Sequence, residues 1–541
     1  MTPNSSIDTL MVNGVSYYLP KDNSEVLFLV NQAQQAKQVV CLRGAAHSRP
    51  LISSLEAEVN AGRLYLLLVK MMAVTFNDAL QQVTVQGGCH LGFDPSDPLA
   101  NADASLAPYR STVENSLCYQ LDNHRIDPQN PLKGWALPDL GGIIHQTVGG
   151  FLSTGSSGSN LFASFNEQLL SVTVITGGAD GAREQVFSKD DPNYPNKNEN
   201  PFYAVGVGLG LFGVIVSATF QCIDNFNIIG QESTTTEADC PIDLFGDQPS
   251  KQSLADFFTK NTYKRIMWWP QAGVNRTVIW QAEPMPITAN FVPNPYKEVP
   301  EIKLFGVETP LPLEICANLM MRGFGEIDLF LSELKVAHPI AYEILHAIDK
   351  DKLVPFLLKI FVPLDPIVNK VPTPPAFQDV WYGSIPMDNK ISDFLLPVWF
   401  TELWFPIEKG STVLSTLRAF FLKNPDIVGN FSYEIYPAKN SDFWLSAAYQ
   451  RDVFRIDMFW FGDNPGSPLN TFYPTLWNEL YTAGLVFRPH WGKFLPAGNS
   501  NEGVDYLKNN YPNWDKWMAL QASMDPHQVF VSDYWRSHLF K

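Results

Sequence analysis

The sequence predicts an α+β protein of more than one domain, one of them built on an antiparallel sheet covered by helices. Three observations predict it. The chain has 541 residues, more than one hydrophobic core normally supports. Near the N-terminus two apolar strands, Val39 to Leu42 and Val83 to Gln86, each run into a glycine-containing turn. Past the middle, strand-like Phe394 to Trp404, helical Thr412 to Leu422 and strand-like Phe431 to Tyr436 and Phe454 to Phe461 follow one another. That strand–helix–strand–strand order suits an antiparallel sheet with helices on one face.

Composition narrows the function classes. Hydrophobic residues make up 45% and charged residues 17%, a balance for packed domains rather than disorder. Aromatics reach 13%, which points to large apolar cavities or interfaces. A net charge of −17 sets nucleic-acid binding aside, because phosphate backbones repel such a chain. The six cysteines contain no Cys-x-x-Cys pair and do not read as a disulfide framework, and no histidine pair has metal-ligand spacing. Met1 to Pro20 lacks a basic start followed by an apolar block, so no signal peptide is expected and a cytoplasmic location is favoured. No run of 18 apolar residues predicts a membrane-spanning helix.

Taken in order, Asn23 or Ser24 is read as the cap of a helix with Val26, Leu27, Val30 and Ala33 on one face. The strand Val39 to Leu42 ends in Arg43-Gly44-Ala45-Ala46-His47-Ser48. This turn sets backbone N–H groups and one imidazole at a strand end, where cofactors bind. A strand follows at Arg63 to Val69, and the strand Val83 to Gln86 enters Gly87-Gly88-Cys89-His90. The stretch Gly134 to Ser159 contains Pro138, Gly149-Gly150 and Ser153-Thr154-Gly155-Ser156-Ser157-Gly158. Its glycines and hydroxyls suit close approach to a pyrophosphate, and it reads as neither a packed helix nor a plain strand. Interleaved Ile143, Ile144, Val148, Phe151 and Leu152 argue for burial over a flexible linker.

Ser171 to Thr176 and Glu184 to Phe187 form a β-hairpin, and Gly206 to Cys222 a helix or turn leading into a strand at Val214-Ile215-Val216. Composition changes after about residue 225. Gln281 to Pro312 is proline-rich and expected to wrap a surface. Ile327, Leu331 and Leu334, then Ile340, Ile344 and Ile348, recur at helical spacing on either side of Pro339, predicting two helices. Leu353 to Leu364 is nearly all apolar and is read as a buried segment.

With these segments assembled, the chain resembles the vanillyl-alcohol oxidase superfamily of flavoproteins, nearest to its branch of aldonolactone oxidases, alditol oxidase and covalent-flavin cholesterol oxidase. The family's Arg-Gly-x-x-His falls on Arg43-Gly44-Ala45-Ala46-His47. Its Ala-Thr-Gly-Thr-His-Gly falls on Ser153-Thr154-Gly155-Ser156-Ser157-Gly158, with Ser157 in place of the histidine. Glu434-Ile435-Tyr436, followed by Trp444-Leu445-Ser446-Ala447-Ala448-Tyr449-Gln450-Arg451-Asp452, is similar to the alditol oxidase pattern Glu-Ile-Arg and Trp-Leu-Ser-Pro-x-Tyr-x-Arg-Asp. His490-Trp491-Gly492-Lys493 matches His-Trp-x-Lys, and Asp525-Pro526 with Phe530 matches the C-terminal Asp-Pro-x-x-x-Phe.

The resemblance implies a two-part FAD-binding domain, residues 1–225 with a return at 501–541, and a substrate (cap) domain at 226–500. It implies FAD held covalently by His47 through the flavin 8α-methyl. The implied cofactor site comprises Arg43, Gly44, Ala45, Ala46, Ser48, Gly88, Pro138, Gly149, Gly150, the run Ser153 to Gly158, Gly213, Val214, Ile215 and Lys493. The implied reaction oxidises a CH–OH group to a carbonyl by hydride transfer to flavin N5, with O2 reduced to hydrogen peroxide.

In that reaction Glu434 orients or deprotonates the hydroxyl, Lys493 places a cation by the flavin N1 and C2=O, and Asp457 lies close enough to share the role of Glu434. His490 contacts flavin or substrate, or braces Trp491. Tyr436, Phe459 and Glu402 are the pocket candidates. Tyr436 stands where the pattern has arginine, and Asp457 and Phe459 where alditol oxidase has histidine and threonine, which suits a bulkier, less polar alcohol. Two alternatives stay open: a dehydrogenase passing electrons to a quinone or protein, and a flavin-binding protein with altered catalysis. Small Gly149 and Gly150 favour oxygen access and so the oxidase.

Overall fold

Two smaller sheets and one large one organise the chain. The computed structural model describes residues 7–57, 61–298, 303–304, 307–308, 331–332, 335–336, 339–348, 350–389, 398–429, 432–461, 466–496 and 501–540. The first sheet holds β1 (Thr9–Val12), β2 (Val15–Tyr18), β3 (Val39–Arg43) and β4 (Arg63–Leu67), in the order β1-β2-β4-β3, with β3 and β4 parallel. Between β2 and β3 runs helix α1 (Asn23–Ala36), which buries Val26, Leu29, Val30 and Ala33 at helical spacing. Its cap is Asp22, whose carboxylate accepts the Glu25 N–H at 3.0 Å. The expected caps Asn23 and Ser24 lie one and two positions too late, and Leu29 replaces Leu27 at the centre of the buried face.

The second sheet is antiparallel: β5 (Val74–Asn77), β6 (Gln82–Gln86), β7 (Leu169–Thr176), β8 (Arg183–Ser188) and β9 (Val214–Gln221), ordered β5-β6-β9-β7-β8. Helix α2 (Val148–Ser153) packs on this sheet, with Thr147 accepting the Gly150 N–H at its start. The expectation that this glycine-rich stretch holds no packed helix is therefore wrong. Two glycines cost about 1 kcal/mol each against alanine, and burial of Val148, Phe151 and Leu152 at about 1.5–3 kcal/mol each outweighs that.

The described residues of the third region form an eight-stranded antiparallel sheet. Its strands are β10 (Asn227–Thr235), β11 (Tyr263–Trp269), β12 (Arg276–Met285), β13 (Ala376–Val380), β14 (Val398–Pro406), β15 (Tyr433–Ala438), β16 (Val453–Phe461) and β17 (Arg488–Pro489), ordered β13-β10-β12-β11-β15-β16-β14-β17. Period-two alternation splits its two faces. Ile266, Trp268, Leu403, Phe405, Tyr433, Ile435, Phe454, Ile456 and Met458 share one apolar core with Val413, Leu414, Leu417, Phe420 and Phe421 of helix α3 (Gly410–Lys423). The other face carries Arg265, Glu402, Glu434, Tyr436, Arg455 and Asp457 into a cavity.

The chain returns to its N-terminal sheets at the end. The Val40 N–H donates to the Val529 carbonyl at 2.7 Å, and Val529 and Phe530 share the core of α1, β3 and β4. Asp525 closes this turn by accepting the N–H groups of Val529 and Phe530.

Other expectations need correction. Residues 281–285 are not a surface wrap but the end of β12, paired with β10. The helix Lys350–Phe361 is two-faced rather than wholly buried: Leu353 and Leu358 are buried, while Phe356 and Leu364 just beyond the helix are exposed. The predicted helix starting at Pro339 is present as Pro339–His346. Ile327, Leu334, Phe431 and residues 394–397 lie outside the described residues. Among the described residues no helix is long and apolar enough to cross a membrane.

Candidate active site

Two cavities, of about 150 and 330 Å³, meet where the N-terminal sheets face the large sheet. Both are lined by His47, Gln146, Ser156, His490, Gly492 and Lys493, so they form one cleft.

The narrower part is built from turns. The residues Arg43 to Ser48 leave the end of β3 and line it. Ala46 adopts a left-handed backbone, φ 63°, the kind of turn that gathers N–H groups into an anion-binding concavity. Gly87, Gly88, Gly149, Gly150, Ser153, Thr154 and Ile215 complete the wall. A Cβ on Gly88 would lie 2.0 Å from the Leu68 carbonyl oxygen, so only glycine lets the chain pass there. Arg43 is pinned through its guanidinium to Glu56, yet its buried Nε has no hydrogen-bond partner among the described residues. A cation with an unused donor, a left-handed turn and a hydroxyl row on a glycine wall fit the pyrophosphate and ring of FAD.

The wider part is the polar face of the large sheet. Glu434 on β15 stands directly opposite Asp457 on β16, which stands opposite Glu402 on β14. Arg455, two residues along β16, stacks 4.5 Å from the Tyr436 ring and donates to Glu402 at 3.2 Å. The Trp404 indole N–H donates to the same Glu402 oxygen at 2.7 Å. Burial opposes charge on Glu402, but Arg455, Lys493 and the Trp404 N–H outweigh it and hold the carboxyl below its ordinary range.

Asp457 goes the other way. Burial, then the charge of Glu402, pushes it well above the carboxylate range. Burial, then the charge of Asp388, pushes Glu434 up to about 8 against the pull of Arg265. The Tyr436 hydroxyl donates to Glu434 Oε2, and Arg265 donates to Oε1 at 3.3 Å.

Lys493 holds its ammonium 3.8 Å from the centre of the Phe400 ring, whose neighbour is Phe459 at 4.7 Å. His490 is locked: the Gly492 N–H donates to Nδ1 at 3.1 Å, so the ring proton is on Nε2 and reaches Ser156 Oγ at 3.1 Å. Burial pushes this imidazole down to about 4, consistent with a neutral ring.

Several expected site residues lie elsewhere. The Pro138 carbonyl is turned away to accept the Tyr263 hydroxyl at 2.7 Å. Gly158 donates its N–H to Asp139 at 2.8 Å, and Ser157 its hydroxyl at 3.4 Å, which leaves Ser157 on the wider cavity alone. Gly155 packs against Val207, Gly213 against the Ile175 carbonyl, and Val214 is buried in the core of the first two sheets. Asp457, also expected to share proton abstraction, stands opposite Glu434, with its carboxyl raised by burial and by the charge of Glu402. Both nitrogens of His490 are engaged within the protein, which leaves it a positioning part.

The structure also adds groups that sequence reading missed. Arg265, Asp388 and Tyr296 gather around Glu434, and the His145 ring lies 5.3 Å from that of His47 in the cavity wall. Asp139 is fully buried and pushed up to about 7 by burial. A signal was present for Arg265: a charged pair, Lys264-Arg265, inside the otherwise apolar strand Tyr263–Trp269.

A sequence profile of the family described as D-arabinono-1,4-lactone oxidase matches residues 387–538. The L-gulonolactone oxidase of Bos taurus is 23% identical over 528 residues, covering 96% of this chain and 93% of its own. The D-arabinono-1,4-lactone oxidase of Candida glabrata is 24% identical over 269 residues, 49% of this chain and 40% of its own. The crystal structure of cholesterol oxidase from Brevibacterium sterolicum superimposes with a TM-score of 0.66 at 14% identity, over 97% of this chain and 94% of that one.

The fold, the cleft and these relatives put the chain in the vanillyl-alcohol oxidase superfamily of FAD-linked oxidases. Within that class it is an enzyme, an FAD-linked oxidoreductase.

Proposed function

We propose that this protein is an FAD-dependent oxidase that converts a bulky, largely apolar alcohol to a carbonyl compound, with O2 as electron acceptor and hydrogen peroxide as product. The observation that carries the reading is the shared wall of the two cavities, where His47 and Lys493 border both the glycine-rich cleft and the carboxyl row. FAD would sit in the narrower cavity and would supply a two-electron acceptor for the substrate and a route for those electrons to O2. His47 would hold it covalently through the 8α-methyl, and Arg43, Ser153, Thr154 and Ser156 would hold the pyrophosphate.

The chain's own residues do the rest. Glu434 takes the hydroxyl proton; each of its oxygens receives one hydrogen bond and keeps a lone pair toward the cavity. Lys493 sets a compact cation where negative charge develops. Asp457, whose carboxyl is raised by burial and the charge of Glu402, lies beside Glu434. The neutral His490 ties Ser156 to the Gly492–Lys493 turn and fixes the distance between the two cavities. Met267, Trp269, Val362, Trp399, Phe400 and Phe459 line the substrate side and favour an apolar body over a polyol. The reading also takes residues 1–225 and 501–541 as the cofactor-binding part and 226–500 as the cap.

The test is a panel of secondary and primary alcohols, from polyols to bulky apolar ones, with peroxide release and flavin absorbance recorded. Bulky alcohols are expected to bleach the flavin without oxygen and to yield one peroxide per carbonyl with it. Bleaching with turnover only on a quinone would make the protein a dehydrogenase.

A further inference from the structure

We propose that Arg265 is a positioning residue that holds the Glu434 carboxyl in place and favours its charged form. The inference rests on the reading of Glu434 above. Arg265 lies on β11, the strand that pairs with β15 on the side away from Asp457, with Met267 opposite Glu434. It is 2% exposed and lines the cavity. One guanidinium nitrogen donates to both Glu434 and Asp388; the other donates to the Tyr296 hydroxyl at 3.1 Å. Tyr296 in turn donates to Glu232. The Asp388 N–H donates to the Gly142 carbonyl at 2.8 Å, so the same guanidinium ties the large sheet to the glycine-rich segment.

The groups facing Glu434 leave few other ways to balance its charge. Tyr436 on its own strand is a neutral donor. From β16 come Asp457, a further carboxyl, and Arg455, which is committed to Glu402. Asp388 and Glu232 add negative charge, and Arg265 is the cation in contact with Glu434. A rigid, permanently charged fork fits this place, because a fixed positive charge lowers the pH at which a buried carboxyl gives up its proton.

The experiment follows the protonated Glu434 carboxyl by infrared difference titration of the holoenzyme, with Glu434→Gln identifying the band. Anaerobic flavin reduction is measured over the same pH range. In Arg265→Met the band's midpoint is expected to rise by at least about one pH unit, so that the reduction rate at pH 7 falls about tenfold or more, with FAD content unchanged. Arg265→Lys restores part of the shift. Asp388→Asn, which removes the competing anion, moves the midpoint down. Midpoints that coincide with wild type in Arg265→Met and Asp388→Asn overturn the proposal. A band that moves while the rate keeps its wild-type pH profile upholds the role of Arg265 and removes Glu434 from proton abstraction. If Arg265→Met does not fold, Arg265→Gln, which keeps a donor but loses the charge, is titrated in its place, with the same rise expected and an unshifted midpoint overturning the proposal.

Discussion

Glu434 and Asp457 face each other directly across two neighbouring antiparallel strands, and Asp457 faces Glu402 across the next pair. Side chains opposed in this way have Cβ atoms about 4.5–5.5 Å apart. Three carboxyls so close cannot all be ionised in a buried site, and Arg455 decides the outcome by pairing with Glu402 at one end of the row. Burial and the charge of Glu402 raise the middle carboxyl, and Glu434 at the other end is pushed up to about 8.

This sets the pH dependence. Glu434 is pushed up to about 8, so it is mostly neutral at pH 7 and mostly carboxylate at pH 9. A base must be deprotonated, so the rate of flavin reduction by substrate is expected to climb through about pH 8 and level off above it. The measurement is anaerobic stopped-flow reduction across that range. A rate already at its plateau at pH 6 contradicts the assignment.

Lys493→Met removes the ammonium at the shared wall while keeping most of the side-chain length. Reduction is expected to slow about 10²–10³-fold, with FAD content unchanged because His47 and the glycine wall hold the cofactor. Rates within a few-fold of wild type would take Lys493 out of the chemistry.

His47→Ala separates binding from attachment. Wild-type protein, denatured in acid and run on a gel, is expected to keep flavin fluorescence on its band, and the variant to lose it. Flavin that washes off the wild type sinks the covalent linkage and leaves FAD binding untouched.

Local pattern explains why part of this was legible in the sequence. The alternation that puts Glu434 and Tyr436 on one face of β15 is a period-two property of six residues, and the turn at the end of β3 is readable from its glycine and the strand before it. Arg265 was not legible as a partner, because it lies 169 residues from Glu434 and only the strand order β11-β15-β16 brings them together. Ser157 and Gly158 show a related limit of composition. Composition marks them as ligand-binding, but a buried carboxylate, Asp139, claims their donors. Helix α2 was missed because glycine content was weighed without the packing of Phe151 and Leu152 that overrides it.

The apolar face of the large sheet has its own test. Leu417 is 1% exposed in the core between α3 and the sheet. Leu417→Ala is expected to destabilise this region by about 2–5 kcal/mol, lowering the urea midpoint of its transition and leaving the flavin environment intact before unfolding. An unchanged midpoint would mean that α3 does not anchor the sheet.

The central claim is that Glu434 takes the substrate's proton in a cleft where FAD takes its hydride. The most direct measurement compares wild type with Glu434→Gln in anaerobic stopped-flow reduction by the best alcohol of the panel, at equal flavin content. The amide keeps the shape and the hydrogen bond from Tyr436 but cannot accept a proton. Loss of about 10²–10⁴ in the reduction rate, together with disappearance of the rise through about pH 8, is the predicted result. A variant that reduces its flavin within a few-fold of the wild-type rate, with the same pH profile, would contradict the account.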